Sequence, residues 1–158
     1  VRNFAKMQAG ESLLDLYSGA GLFAASLAKD VGEDGEVIAV ESSIDAMRDA
    51  RRSCSDVPQL DLITADVSKW VSANKSEQFD VVVLDPPRSG AGIANVSLVA
   101  GMAKRAIVYV ACEPSALGRD TAVLRDAGWT MTALRGFDAF PMTSHVECIA
   151  LFEPDKVS

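Results

Sequence analysis

Cysteine and histidine are scarce in this sequence. Cys54, Cys112 and Cys148 stand far apart, no C-x-x-C pair occurs, and His145 is the single histidine among 158 residues. Zinc and iron–sulfur sites need several such ligands at close spacing, so no metal is expected. The odd count points instead to reduced thiols, each either buried filler or a reactive nucleophile. Long apolar stretches are missing too. Runs such as Val81–Leu84 and Ile107–Ala111 fall far short of the roughly 20 residues that a membrane helix requires. No secretory signal precedes Gly10, which makes the cytoplasm the expected location. Positive charge is in short supply, with 15 Lys and Arg against 22 Asp and Glu and a net charge of -7. Phosphate binding is chiefly cationic, so this balance argues against a domain that grips nucleic acid strongly by itself.

What remains is the make-up of an ordinary globular protein, 49% hydrophobic and 23% charged, with 11 Gly and 6 Pro. The length predicts one domain around a single core, with a monomer as the expected form. Short apolar runs alternate with helix-like stretches. Candidate strands are Ser12–Tyr17, Glu36–Glu41, Leu60–Ala65, Phe79–Leu84, Arg105–Ala111, Trp129–Leu134 and Val146–Phe152. Helical segments fall at Gly21–Asp30, Ile44–Ser53 and Ile93–Ala103, and Pro114 sits at a further helix start. Strand, helix, strand at this spacing predicts right-handed βαβ units and a mostly parallel sheet covered on both faces. The last two strands are joined without a helix, so the C-terminal one is expected to run antiparallel at the sheet edge, beside the fifth.

Ligands of open α/β sheets sit beyond the carboxyl ends of the strands, and the residues of chemical interest cluster there. The first strand runs into Asp15-Leu16-Tyr17-Ser18-Gly19-Ala20-Gly21, where two glycines allow a tight turn and close approach to a ligand. A tight turn with no ligand would carry the same residues. Glu41 ends the second strand about 20 residues on, where an acidic side chain can accept hydrogen bonds from ribose hydroxyls. Asp66, after the third, can face an adenine amino group or serve as a helix cap. Three strand ends thus agree on a nucleoside-shaped site, but the loop leaves the cofactor open, since Ala24 is just tolerated by a dinucleotide fingerprint.

The fourth strand ends Leu84-Asp85-Pro86-Pro87-Arg88-Ser89-Gly90, a stiff segment whose Asp85 can point into a site. The fifth ends Tyr109-Val110-Ala111-Cys112-Glu113-Pro114, which sets a thiol just ahead of a helix, in the field of its dipole. Taken alone, a cysteine there is more often inert packing. Near the C-terminus, Phe140-Pro141-Met142-Thr143-Ser144-His145-Val146-Glu147 opens the last strand with a carboxylate.

Together, the 15–21 segment, Asp85-Pro86-Pro87-Arg88, the Cys112 segment with Arg119-Asp120, and Phe140-Pro141 with His145-Val146-Glu147 resemble the ordered motifs of the RNA uracil-C5 methyltransferases. These enzymes make 5-methyluridine in ribosomal or transfer RNA. The resemblance spans nearly the whole chain. It implies the class I S-adenosylmethionine-dependent methyltransferase fold, Rossmann-like, with a mostly parallel seven-stranded sheet and an antiparallel C-terminal strand. It also implies S-adenosylmethionine as cofactor and an RNA substrate, rRNA or tRNA, presenting a flipped or single-stranded uridine. Cys112 then looks like the nucleophile and Glu147 like the base, with Asp85 serving both chemistry and cofactor. Tyr17, Gly19, Gly21, Glu41, Asp66 and Asp85 look like cofactor-site residues. The family usually has Asn at the places of Glu113 and Leu22, so Leu22 would meet the cofactor through its backbone alone. Residues 1–158 read as the catalytic domain, with the family's N-terminal RNA-binding barrel and central region lying before Val1.

The chemistry asks for these residue types independently. Uracil C5 is a poor nucleophile until a group adds at C6, and a thiolate can add and later leave. The C5 proton must afterwards go to a base such as a carboxylate. Two other readings use the same fold. A methyltransferase acting on an exocyclic amine would need Asp85-Pro86-Pro87 but no cysteine, and Arg88 in place of an aromatic residue counts against base-amine chemistry. A non-catalytic nucleotide-binding or RNA-scaffold domain would need neither Cys112 nor Glu147.

Overall fold

The computed structural model describes residues 1–137 and 147–155. Its strands are β1 (Ser12–Leu16), β2 (Glu36–Glu41), β3 (Leu60–Thr64), β4 (Phe79–Leu84), β5 (Ala103–Ala111), β6 (Trp129–Phe137) and β7 (Glu147–Pro154). Its helices are α1 (Arg2–Ala5), α2 (Leu22–Val31), α3 (Ile44–Ser53), α4 (Val67–Ala73), α5 (Ile93–Met102) and α6 (Pro114–Asp126). Helix starts follow local chemistry. The Ser43 hydroxyl accepts from the Ala46 N–H at 3.2 Å to begin α3, and Pro114 opens α6 where a missing N–H costs nothing. The Phe140–Val146 part of the C-terminal motif lies outside the described residues.

All seven strands join one sheet in the order β3-β2-β1-β4-β5-β7-β6. The first five are parallel, and β7 runs antiparallel to both of its neighbours. One expectation is overturned here: the C-terminal strand does not take the edge. It is inserted between β5 and β6, so β6 forms the edge. Burial explains the choice. β7 buries Cys148, Ala150 and Phe152 on one face and half-buries Ile149 and Leu151 on the other. After Trp129, β6 is largely exposed, with Thr130, Thr132 and Arg135 facing solvent, a composition suited to an edge.

Alternation along each strand divides the side chains between two cores. Leu14, Leu16, Ile38, Val40, Val82, Leu84, Ile107 and Tyr109 pack under α4, α5 and α6. Leu13, Val37, Ala39, Val81, Val83 and Val108 pack on the opposite face under α1 and α2. Counting on in steps of two assigns Asp15, Glu41, Asp85 and Cys112 to this second face, at or just past the strand ends. The sheet thus delivers one polar side chain from each of β1, β2, β4 and β5 to one side of one edge.

The position of β7 has a measurable consequence. Phe152 is fully buried opposite Ile107 and Met131, so Phe152→Ala should cost about 3–5 kcal/mol in urea unfolding. Leu134→Ala on the exposed edge strand should stay within about 0.5 kcal/mol. Equal losses would contradict this placement of the two strands.

Candidate active site

Asp15 interrupts an otherwise apolar strand and is fully buried. Its Oδ2 accepts from the Ala24 N–H at 2.9 Å, which ties β1 to the first turn of α2, while Oδ1 has no hydrogen-bond partner. The chain then reverses through Tyr17 at φ 61, Gly19 at φ 55 and Gly21 at φ 80. Only glycine adopts this region freely, so a side chain at Gly21 would be strained by its backbone conformation. Glu41 braces the turn. Its Oε2 accepts from the Gly19 N–H at 3.0 Å and its Oε1 from the Ser43 N–H at 2.6 Å, so one carboxylate links the glycine loop to the start of α3.

Leu22 opens α2 with its side chain 73% exposed. Asp66 lies two residues past β3 and caps α4, its Oδ1 accepting from the Lys69 N–H at 2.9 Å. Of the two readings of this residue, the structure shows the helix cap, which engages one oxygen of the carboxylate. Asn95 of α5 was not foreseen. Its amide donates to the Ser68 hydroxyl at 2.8 Å, the Ala91 carbonyl at 3.0 Å and the Tyr17 hydroxyl at 3.4 Å, joining α4, α5 and the β1 loop. Asn carries no such signal in a lone helix sequence. Asp15 did carry one, as a carboxylate inside the run Leu13-Leu14-Asp15-Leu16.

Asp85 follows β4, its N–H donating to the Leu16 carbonyl at 3.2 Å, and is half-buried. Burial and the nearby Glu147 charge push its carboxyl up to about 6. Asp15 goes further, to about 7, through burial opposed by the Ala24 bond and reinforced by Asp85 and Glu41. These carboxyl groups therefore feel one another across neighbouring strand ends.

Cys112 and Glu147 are 35 positions apart in sequence but adjacent in register. Ala111 pairs with Cys148 across β5 and β7, so the next step brings Cys112 opposite Glu147, which also pairs with Phe137 of β6. Cys112 is half-buried and lines a small recess with Pro86, Pro87, Arg88 and Gly90. The other thiols are buried, and burial raises both: Cys54 at the end of α3 and Cys148 within β7, the latter also beside the Glu147 charge. Glu113, at the family's usual Asn position, accepts from the Ser115 N–H and hydroxyl at 3.3 and 3.0 Å and caps α6.

Crowded carboxyl groups beside an orphaned buried oxygen suit a ligand that brings positive charge, and the open space over Gly19 leaves room for its approach. The sheet order and strand-end site define a methyltransferase domain, and a model of that description matches residues 13–87. NSun6 from Pyrococcus horikoshii with SFG shares the fold at a TM-score of 0.79 and 15% identity, covering 98% of this chain and 50% of that one.

The chain belongs to the tRNA (uracil-5-)-methyltransferase family, whose model matches residues 70–154, more than half of its length. An uncharacterized RNA methyltransferase of Streptomyces coelicolor is 43% identical over 145 residues, covering 92% of this chain and 32% of the relative. The 23S rRNA (uracil(1939)-C(5))-methyltransferase of Acinetobacter baylyi is 37% identical over 152 residues, covering 94% and 33%. The crystal structure of Pyrococcus abyssi tRNA (uracil-54, C5)-methyltransferase in complex with S-adenosyl-L-homocysteine aligns with a TM-score of 0.78 at 31% identity, covering 96% and 36%. The chain thus spans about a third of the length of the curated relatives it matches. No helix among the described residues is long and apolar enough to cross a membrane, and no group of His, Cys, Asp and Glu among them is arranged to hold a metal ion.

Asp15 makes the ligand-free domain pH-sensitive. Its folded value of about 7 lies above the ordinary 3.8, so the folded state binds the proton more tightly and its stability falls as pH rises between these values. Asp15→Asn removes that slope. The stability of the variant relative to wild type should therefore climb by up to about 1.4 kcal/mol per pH unit between about pH 4 and 7, then level off. Urea melts across pH 4 to about 8 check this, and a pH-independent difference would contradict it.

Proposed function

We propose that residues 1–158 form the catalytic domain of an enzyme that methylates C5 of a uridine in RNA, with S-adenosylmethionine as methyl donor and a covalent cysteine adduct as the route. The observation that carries this reading is the β5–β7 register, whose last pair Ala111–Cys148 leads one residue on to half-buried Cys112 and to Glu147, beside the proline-rigid end of β4. An amine methyltransferase or a nucleotide-binding scaffold has no use for such a pair.

Asp15, Glu41 and Asp85 offer negative charge to the ammonium and sulfonium of the donor. Glu41 suits the ribose hydroxyls and Asp66 the adenine edge, while Tyr17, Gly19, Gly21 and the Leu22 backbone supply the floor. When bound, S-adenosylmethionine supplies an electrophilic methyl group. The work of the protein is to make C5 nucleophilic. The Cys112 thiolate adds to C6 of the pyrimidine, the C5–C6 π bond opens, and the electron pair is delocalised between C5 and O4. Once C5 carries the methyl group, Glu147 removes the C5 proton, the C5–C6 double bond re-forms, and the thiolate leaves. Cys112 is regenerated, and Glu147 passes its proton to solvent.

The acidic balance of the domain leaves few cations for phosphates, so the greater part of the RNA grip belongs to other regions of the full-length protein. The reading is tested there with 5-fluorouridine RNA, whose C5 fluorine cannot leave as a proton does. Wild type should trap a stable covalent complex in mass spectrometry. Cys112→Ala should form no adduct and no 5-methyluridine. Glu147→Gln should add and methylate normal RNA but not release it, so that methylated, covalently attached RNA accumulates. Methylation that survives Cys112→Ala would end the uracil-C5 reading and favour amine methylation.

A further inference from the structure

A buried polar knot holds the loop that follows β4. Asp120, on α6, is fully buried. Its Oδ2 accepts from the Tyr109 hydroxyl at 2.6 Å and from the N–H groups of Ala91 and Gly92 at 2.9 and 3.4 Å. The Tyr109 hydroxyl in turn accepts from the Ala91 N–H at 3.0 Å. Arg119 donates to Asp120 Oδ1 at 3.3 Å and to the Ser89 carbonyl at 2.5 Å. Residues 89, 91 and 92 are thus held from one helix and one strand, and burial together with the bond to Asp120 keeps the Tyr109 hydroxyl protonated by raising it well above its usual range.

Gly90 threads between these groups at φ +81. A Cβ there would lie 2.6 Å from Arg119 Nη2 and 2.7 Å from Asp120 Oδ2. Burying a carboxylate is costly unless it is fully hydrogen-bonded, and here the bonds go to Tyr109 in the core and to the backbone of the loop after β4. That loop also walls the cysteine. Pro86, Pro87, Arg88 and Gly90 line the recess of Cys112 together with Ala116, one helical turn before Asp120.

We propose that Asp120 is a positioning residue for the methylation reaction: with Tyr109 and Arg119 it locks the loop 86–92 against Cys112, giving a preset wall against which the pyrimidine is held as the thiolate attacks. Preset geometry of this kind is how a site avoids reordering during reaction. The substrate role rests on the reading of Cys112 as nucleophile, while the lock itself can be measured without RNA.

Iodoacetamide alkylation of the folded domain, read by peptide mass spectrometry, reports access to Cys112, with buried Cys54 as internal control. Asp120→Ala should speed alkylation of Cys112 about tenfold over wild type, the size expected for lost buried hydrogen bonds. Asp120→Asn keeps an acceptor for Tyr109, Ala91 and Gly92 and should return the rate to within about threefold. S-adenosylhomocysteine should bind all three proteins alike. Should Asp120→Ala fail to fold, Tyr109→Phe and Gly90→Ala loosen the same loop and should each raise the Cys112 rate. Alkylation of Cys112 and Cys54 rising together, no rescue by Asn, or ligand binding lost in parallel would each overturn the lock. Absence of a 5-fluorouridine adduct in wild type would instead overturn the reading of function while leaving the alkylation contrast intact.

Discussion

Asp15, Glu41, Asp85 and Glu147 lie at one edge of one sheet, and the burial of Asp15 and Asp85 there, reinforced by the neighbouring carboxylates, is the constraint on which the rest of the site depends. Asp15 feels Asp85 and Glu41, and Asp85 feels Glu147. Burial raises the cost of charging Asp15 and Asp85, because little water is left to solvate them. A protein gains no stability from such an arrangement. It keeps Asp15 protonated at the lower end of the physiological range and leaves one of its oxygens without a partner. In the proposed function a cationic ligand relieves this cost, and a sulfonium with an ammonium fits that demand.

Two pairing rules bring these groups to one edge. Parallel strands β1, β2 and β4 bring their carboxyl ends to the same edge, and the two-residue repeat aims Asp15, Glu41 and Asp85 to the same face. A further parallel strand beside β5 would have brought only another strand end. The antiparallel β7 brings a strand beginning instead, so that Glu147 arrives opposite Cys112. Insertion of β7 between β5 and β6 also buries Cys148 one residue away. Neighbouring positions thus separate a protected thiol from a carboxylate at the site.

The sequence was most legible where apolar periodicity and chemistry coincide. The strand bounds of β2 and β4 match the expected Glu36–Glu41 and Phe79–Leu84, since buried parallel strands read as near-continuous Val and Ile runs. The two-residue repeat and the motif order were enough to bring Cys112, Glu147 and the acidic strand ends together. The order of the last strands was not legible, because a helix-free connection is compatible with an edge strand or an inserted one. Only the relative burial of Phe152 and Leu134 separates these. Polar networks were hidden for a related reason. Asp120 and Asn95 act through backbone groups of Ala91 and through Tyr109 and Tyr17, partners that composition and spacing do not name.

Binding of the cationic methyl donor should draw the buried strand-end carboxyl groups into their charged form. This is tested most directly by calorimetry of S-adenosylmethionine binding near pH 6.5, between the values of about 6 and about 7 for Asp85 and Asp15, in two buffers of different ionisation enthalpy. A cation stabilises the charged carboxylates, so binding should release protons, and S-adenosylhomocysteine, which lacks the sulfonium, should release fewer. Proton uptake, or no binding of either ligand, would contradict the account.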